Sequence, residues 1–183
     1  MAPMIDATRL WSKFYQGSYP LEGVRAHGFR VLVLCAEELQ HRAEEPGVVT
    51  LRCPLFDDGR RPMSPIEWQH AVRTGREVAA HAAAGHRTLV TCAQGRNRSG
   101  LVAGIALYEL SGWSGEQCVQ HIQARRRDAL TNDDFVAALY GLPPRVRQVA
   151  HPIRRAPQRI GPVHQRVGVD GANQGRQTLL RYF

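Results

Sequence analysis

The chain has 183 residues and a formal net charge of +8, with 43% hydrophobic and 22% charged residues. That is enough for one domain with a real core and too short for two ordinary ones. The balance excludes a wholly disordered chain, a collagen-like chain and a coiled coil, and the longest apolar runs, such as Val31-Leu32-Val33-Leu34-Cys35, are too short to span a bilayer.

Short β-rich runs alternate with helical patterns, which predicts an α/β fold. Leu10 to Tyr15 reads as a first strand that ends at Gly17, and Leu21 to His27 as a short helix closed by Gly28. Arg30 to Cys35 is a continuous apolar run, the pattern of a parallel strand buried on both faces. Val48 to Cys53 is another strand, stopped by Pro54, and the turn formers Phe56-Asp57-Asp58-Gly59 lead to Pro62. Ser64, Pro65 and Glu67 then spell a helix start with a capping box. The helix runs through Trp68, Val72, Val78 and Ala79 to Ala84, and Gly85 ends it. Thr88 to Thr91 is a strand, Cys92 to Arg98 a loop, and Ser99 to Leu110 an apolar helix. Ser114 opens a helix to about Arg127 with Gln117 at the capping-box position. Asn132 or Thr131 caps a last helix, Asp133 to Tyr140, before Gly141 and Pro143-Pro144 end the compact part.

Charge is unevenly placed. Residues 145–183 hold eight Arg and one acid, Asp170, whereas residues 1–144 hold fifteen Arg, one Lys and fifteen acids. The basic end is rich in Pro, Gly and Gln and reads as an extension, disordered in part. Such a tail can bind nucleic acid or anionic lipid through counterion release, or serve only as a solvated extension. No positive start followed by an apolar stretch marks a signal peptide, so a cytoplasmic location is expected. Cys35, Cys53, Cys92 and Cys118 are widely spaced and form no C-x-x-C pair, and the His residues show no ligand spacing. No metal and no cofactor is expected.

The informative segment is Thr91-Cys92-Ala93-Gln94-Gly95-Arg96-Asn97-Arg98-Ser99-Gly100, between a strand and a helix. Such a loop can turn its N–H groups inward as an anion nest, and the helix start adds more donors and a positive dipole end. Gly95 permits backbone that other residues resist. Cys92 opens the loop, where oriented N–H groups and a guanidinium stabilise a thiolate, the nucleophilic form. Arg98 offers a planar fork for two phosphoryl oxygens. Ser99 can donate a hydrogen bond to the leaving sulfur. The departing oxygen needs an acid. Parallel strands end on one rim, so Asp57 and Asp58, on the loop after the strand ending at Cys53, can both overhang Cys92.

These residues together resemble the dual-specificity branch of the protein tyrosine phosphatase superfamily. The likeness runs from about Leu10 to Leu142, with Tyr15-Gln16-Gly17, the Asp loop, the Cys92 loop and Arg125 to Phe135 in family order. It implies a small, central, mostly parallel sheet flanked by helices, with residues 1–144 as the catalytic domain. It implies that Cys92 is the nucleophile, Arg98 the phosphate clamp, Ser99 the aid to hydrolysis, and Ala93, Gln94, Gly95, Arg96, Asn97 and Arg98 the phosphate loop. The acid loop is similar to that of the phosphatases of regenerating liver, which points to Asp58 as the acid and leaves Asp57 as the alternative. A cysteine placed like Cys35 forms a reversible disulfide with the nucleophile in some relatives, so Cys35 is a candidate redox partner; a buried strand cysteine is the other reading.

The implied activity is hydrolysis of phosphotyrosine and phosphoserine or phosphothreonine in proteins through a phosphocysteine. Two features widen the choice. Arg96 adds a cation that suits a highly charged substrate such as a phosphoinositide, and Gly95-x-Asn97-Arg98-Ser99-Gly100 is also similar to RNA 5′-triphosphatases of the superfamily. Thr91 stands where the family usually has His. Either its hydroxyl takes over support of the thiolate or the site is weakened, in the limit to a phosphate-binding pseudophosphatase. Asn97 is otherwise a residue that tolerates a left-handed turn.

Overall fold

Val31–Ala36 and Thr88–Cys92 are buried at every position, which requires strands covered on both faces. They are the two central strands, β3 and β5, of a five-stranded sheet. The computed structural model describes residues 5–57, 59 and 61–144; Asp58 and the Arg-rich extension lie outside the described residues. The other strands are β1 (Thr8–Arg9), β2 (Phe14–Ser18) and β4 (Val49–Leu55), in the order β1-β2-β5-β3-β4. β1 runs antiparallel to β2, and every other pairing is parallel. Four helices follow: α1 (Pro65–Ala83), α2 (Arg98–Ser111), α3 (Gly115–Arg125) and α4 (Asp133–Tyr140).

Several boundaries differ from expectation, each for a local reason. The expected first strand is two, because the amides of Leu10 and Trp11 both turn back to the Phe14 carbonyl at 2.9 and 3.2 Å. The expected helix at Leu21 shrinks to one 3-10 turn, Arg25–His27; Pro20 and Gly23 precede it and resist a longer helix. β4 runs through Pro54 rather than stopping before it. It is an edge strand, where a missing N–H is tolerated. A 3-10 turn at Glu37–Leu39, absent from the sequence reading, follows β3. α2 starts at Arg98, and α3 stops at Arg125 rather than near Arg127.

Both capping boxes form, Ser64 with Glu67 and Ser114 with Gln117. Asn132, not Thr131, caps α4. The larger core joins all four α-helices to one sheet face, whose residues include Val31, Val33, Cys35, Val90 and Cys92. The opposite face, with Leu32, Leu34 and Leu89, is covered by Val24, Phe29 and Val48. α2 is buried from Ser99 to Tyr108 and forms the middle of the helical layer. The hydrophobic effect thus fixes α2 and β5, and with them both ends of the loop that joins them.

Candidate active site

The C-terminal ends of β2, β3, β4 and β5 meet on one rim, the usual place for a site in a parallel sheet. Ser18 pairs in register with Cys92 across β2 and β5. The Cys92–Arg98 loop leaves β5 and enters α2 at once, so the positive end of α2 adjoins the cysteine. Gly95 adopts φ 66°, and a Cβ there would come within 2.3 Å of the Gly17 carbonyl carbon. The loop therefore leans on β2, and only glycine fits both the torsion and the space.

Among the described residues, the amides of Ala93, Gln94, Arg96 and Asn97 have no protein acceptor, while that of Gly95 donates to the Cys92 carbonyl at 3.3 Å. Arg98 Nε is buried and without a partner there too. Free amides and a buried guanidinium N–H are donors that require an anion or water. Cys92 Sγ lies 3.3 Å from Ser99 Oγ.

Ser99 itself is fully buried. Gln16 Nε2 donates to Ser99 Oγ at 3.3 Å, to the Gly95 carbonyl at 3.0 Å and to the Arg96 carbonyl at 3.1 Å. A hydroxyl that accepts from an amide has its own proton free to give. The bond from Gln16 therefore leaves the Ser99 O–H free to be given to the Cys92 sulfur. The sequence reading placed Gln16 only in family order. Its signal was a polar residue inside a buried strand.

Arg98 is held from outside. Glu38, on the 3-10 turn after β3, accepts from Nη1 at 2.5 Å and from Nη2 at 2.8 Å, and the Leu55 carbonyl lies 3.4 Å from Nη1. Burial opposes the guanidinium charge, and the Glu38 carboxylate outweighs it and raises the Arg98 pKa. Arg98 in turn holds the Glu38 carboxyl below its ordinary value. No sequence pattern marked Glu38. Arg126, one of three arginines whose run ends a helix and can also border an anion site, is a second support: it donates to both oxygens of Asp6 at 2.8 and 2.6 Å and to the Gln94 carbonyl at 3.1 Å.

Asn97 does not use a left-handed turn; its φ is −89°. Its side chain is a hub. Oδ1 accepts from the Thr131 amide at 2.8 Å and from the Asn132 amide at 3.3 Å, and Nδ2 lies 3.5 Å from Asp57 Oδ1. Asn132 Nδ2 donates to the same Asp57 oxygen at 2.8 Å. Asp57 is thus brought against the phosphate loop and tied to the start of α4. Asp58 falls outside the described residues. Arg96 faces Asp128 at 3.5 Å with its side chain 49% exposed.

Thr91 does not take over the role of the usual His. Its hydroxyl donates to the Val33 carbonyl at 2.8 Å, so it serves the sheet. Leu34 pairs with Thr91 across β3 and β5, and the residues that follow them, Cys35 and Cys92, belong to the same core. Burial, then the neighbouring Cys53 and Cys92, push the Cys35 thiol well above its ordinary value.

A mostly parallel sheet carrying a cysteine–arginine loop between its central strand and a buried helix defines a phosphatase-type fold. Solved structures agree. A mouse putative dual specificity phosphatase complexed with zinc tungstate superposes with a TM-score of 0.64 and 26% identity, over 76% of this chain and 87% of that one. Human DUSP28 gives 0.59 and 27%, over 73% and 89%. PTPMT1 gives 0.61 and 20%, over 73% and 91%, which speaks to fold alone. No family model matches the chain, and no curated protein matches its sequence. The chain has the fold of the dual-specificity branch of the protein tyrosine phosphatase superfamily and is similar to its members. No described helix is long and apolar enough to cross a membrane.

Proposed function

We propose that the chain is a cysteine-dependent phosphatase that hydrolyses phosphomonoesters through a phosphocysteine, without a metal ion. The reading is carried by one arrangement: Cys92 Sγ beside Ser99 Oγ, at the mouth of a loop whose amides and Arg98 Nε await an anion. The Cys92 thiolate attacks phosphorus, and the P–S bond forms as the P–O bond breaks. Asp58 gives its proton to the departing oxygen. Arg98 and the loop amides follow the charge of the equatorial oxygens. Asp58, now a carboxylate, takes a proton from water, which attacks phosphorus. The P–S bond breaks with Ser99 donating to the sulfur. Asp57 is assigned a bracing role, since Asn132 already occupies its Oδ1.

Phosphotyrosine and phosphoserine or phosphothreonine in proteins are the proposed substrates. A more highly charged phosphomonoester is a second reading, favoured by the half-exposed Arg96 at the loop. PTPMT1, a neighbour in fold, has been solved with PI(5)P. The test is hydrolysis of para-nitrophenyl phosphate in EDTA by wild type, Cys92→Ser and Asp58→Ala. EDTA-resistant turnover lost in Cys92→Ser is expected. Phosphate binding with no turnover by folded wild type would leave a pseudophosphatase, as the engagement of Thr91 with Val33 would allow.

Cys35 is proposed as the redox partner of Cys92. Peroxide oxidises the Cys92 thiolate to a sulfenic acid; the Cys35 sulfur attacks it, and water leaves as the disulfide forms. Peroxide-treated wild type should yield a dithiothreitol-sensitive Cys35–Cys92 peptide by mass spectrometry. Its absence, with Cys92 sulfinic acid in its place, would overturn that role.

A further inference from the structure

Five arginines, Arg61, Arg76, Arg96, Arg98 and Arg126, pair with carboxylates. Arg87 lies over the rings of Tyr15 and Phe29. Arg9 and Arg125 have no carboxylate partner among the described residues, and both line one groove. The groove has a volume of about 540 Å³, and no acidic side chain lines it. Its wall is aromatic. Trp11 and Trp113 meet edge to face at 5.3 Å, and the His121 ring stands 4.7 Å from that of Trp113.

His121 also aims one of the cations. Its Nε2 lies 2.8 Å from the Leu10 carbonyl, which can only accept, so Nε2 carries a proton. Its Nδ1 then accepts from Arg125 Nη1 at 3.1 Å. Arg125 is thereby held over the groove while Arg126, the next residue, turns to the phosphate loop. The β1–β2 hairpin is divided the same way: Thr8 contacts Arg126, and Arg9 faces the groove. The groove shares no residue with the proposed catalytic site.

We propose that this groove binds single-stranded nucleic acid, with a base against the Trp113–His121 wall and backbone phosphates on Arg9 and Arg125. Guanidiniums with no carboxylate partner ask for anions, and partly exposed ring faces ask for a planar ring. A single strand supplies both at every nucleotide, since each base has a π-face and each link a phosphate. An acidic peptide would use the cations and leave the rings idle. Residues 1–144 are nearly neutral as a whole, so the attraction for a polyanion at the groove is local to Arg9 and Arg125.

The test uses the full chain and a fluorescein-labelled oligouridylate of about ten nucleotides, within the usual site sizes for such surfaces. Fluorescence anisotropy over a range of NaCl gives the affinity and its salt slope, and intrinsic tryptophan fluorescence reports stacking. Oligouridylate should quench the tryptophan emission of wild type. In R9A/R125A the affinity should fall about tenfold and the salt slope by about 1.4, the counterion release of two single-strand phosphates. R9K/R125K should recover most of the slope. Turnover of para-nitrophenyl phosphate and the melting temperature should not change. The basic extension is the same in every variant, so the difference belongs to the groove. Equal affinity and slope in wild type and R9A/R125A would overturn the proposal. So would Arg-dependent binding without tryptophan quenching, which heparin would then match as a plain polyanion. Quenching by an acidic phosphopeptide but not by oligouridylate would assign the groove to a protein partner instead.

Discussion

Ser99 can assist the leaving sulfur only if its proton is free for Cys92, and the bond from Gln16 leaves it free. The amide of Gln16 also holds the Gly95 and Arg96 carbonyls away from the anion site. Gln16→Leu keeps the shape but removes all three bonds. It should cost about 1–3 kcal/mol by leaving buried carbonyls unpaired. It should also lower kcat for para-nitrophenyl phosphate about tenfold, through the step that breaks the P–S bond. Burst kinetics would check this, since a phosphocysteine that accumulates marks slowed hydrolysis. Glu38 acts on the other side of the site. It grips both Nη atoms of Arg98, and Nε has no partner among the described residues, as the proposed phosphate clamp needs. Glu38→Gln replaces a charge-assisted fork with a weaker contact. Because Glu38 is half exposed, kcat/KM should fall only about fivefold, as for a partly solvated pair. Cys92, Arg98 and Ser99, proposed as nucleophile, clamp and hydroxyl, could be picked out of the sequence because they sit on one short loop. The parts of Gln16 and Glu38 were not, because the fold brings them to that loop from distant positions, with Gln16 and Gly95 separated by 79 residues.

At the scale of elements, the acid loop between β4 and α1 is stapled by one carboxylate. Glu67 completes the α1 capping box on Ser64 and also reaches both sides of the loop. It accepts from the Phe56 amide at 3.3 Å and from Arg61 at 2.7 and 3.0 Å. The Arg61 bond, more than any other contact, lowers its pKa from 4.5 to about 2 despite burial. A depressed carboxyl stabilises the fold fully above its unfolded value and loses that contribution as pH falls. Glu67→Gln should therefore lower stability by about 2 kcal/mol near neutral pH. The gap between the two melting curves should close from about pH 4.5 to about pH 2, the window set by this shift. Thermal melting across that range checks it. The capping box that announces α1 was legible as a local signal. Its second use as a staple was not, since it depends on where β4 delivers Phe56. Likewise the continuous apolar runs announced β3 and β5, whereas Pro54 in β4 misled, because nothing in the sequence says which strand is the edge. The close approach of α1 and α2 is equally silent: a Cβ on Gly75 would come within 2.5 Å of Ile105.

On the scale of the whole molecule, charge and chemistry are carried by different parts of the chain. Residues 1–144 balance sixteen basic side chains against fifteen acids, and the excess resides in residues 145–183. Every group proposed for catalysis falls between Gln16 and Asn132. A small aryl phosphate dianion meets those groups directly. At physiological ionic strength, charges more than about 8 Å away are largely screened from it. A chain ending at residue 144 should therefore turn over para-nitrophenyl phosphate within about twofold of wild type, since no catalytic group is lost. Polyanions are a different case, because affinity there scales with the number of cations engaged. The shortened chain should leave a heparin column at markedly lower salt, and its residual oligouridylate binding should still respond to R9A/R125A. A fall in kcat/KM of tenfold or more on the small substrate would mean that the extension reaches the phosphate loop. The division between a neutral catalytic part and a basic targeting part would then be wrong.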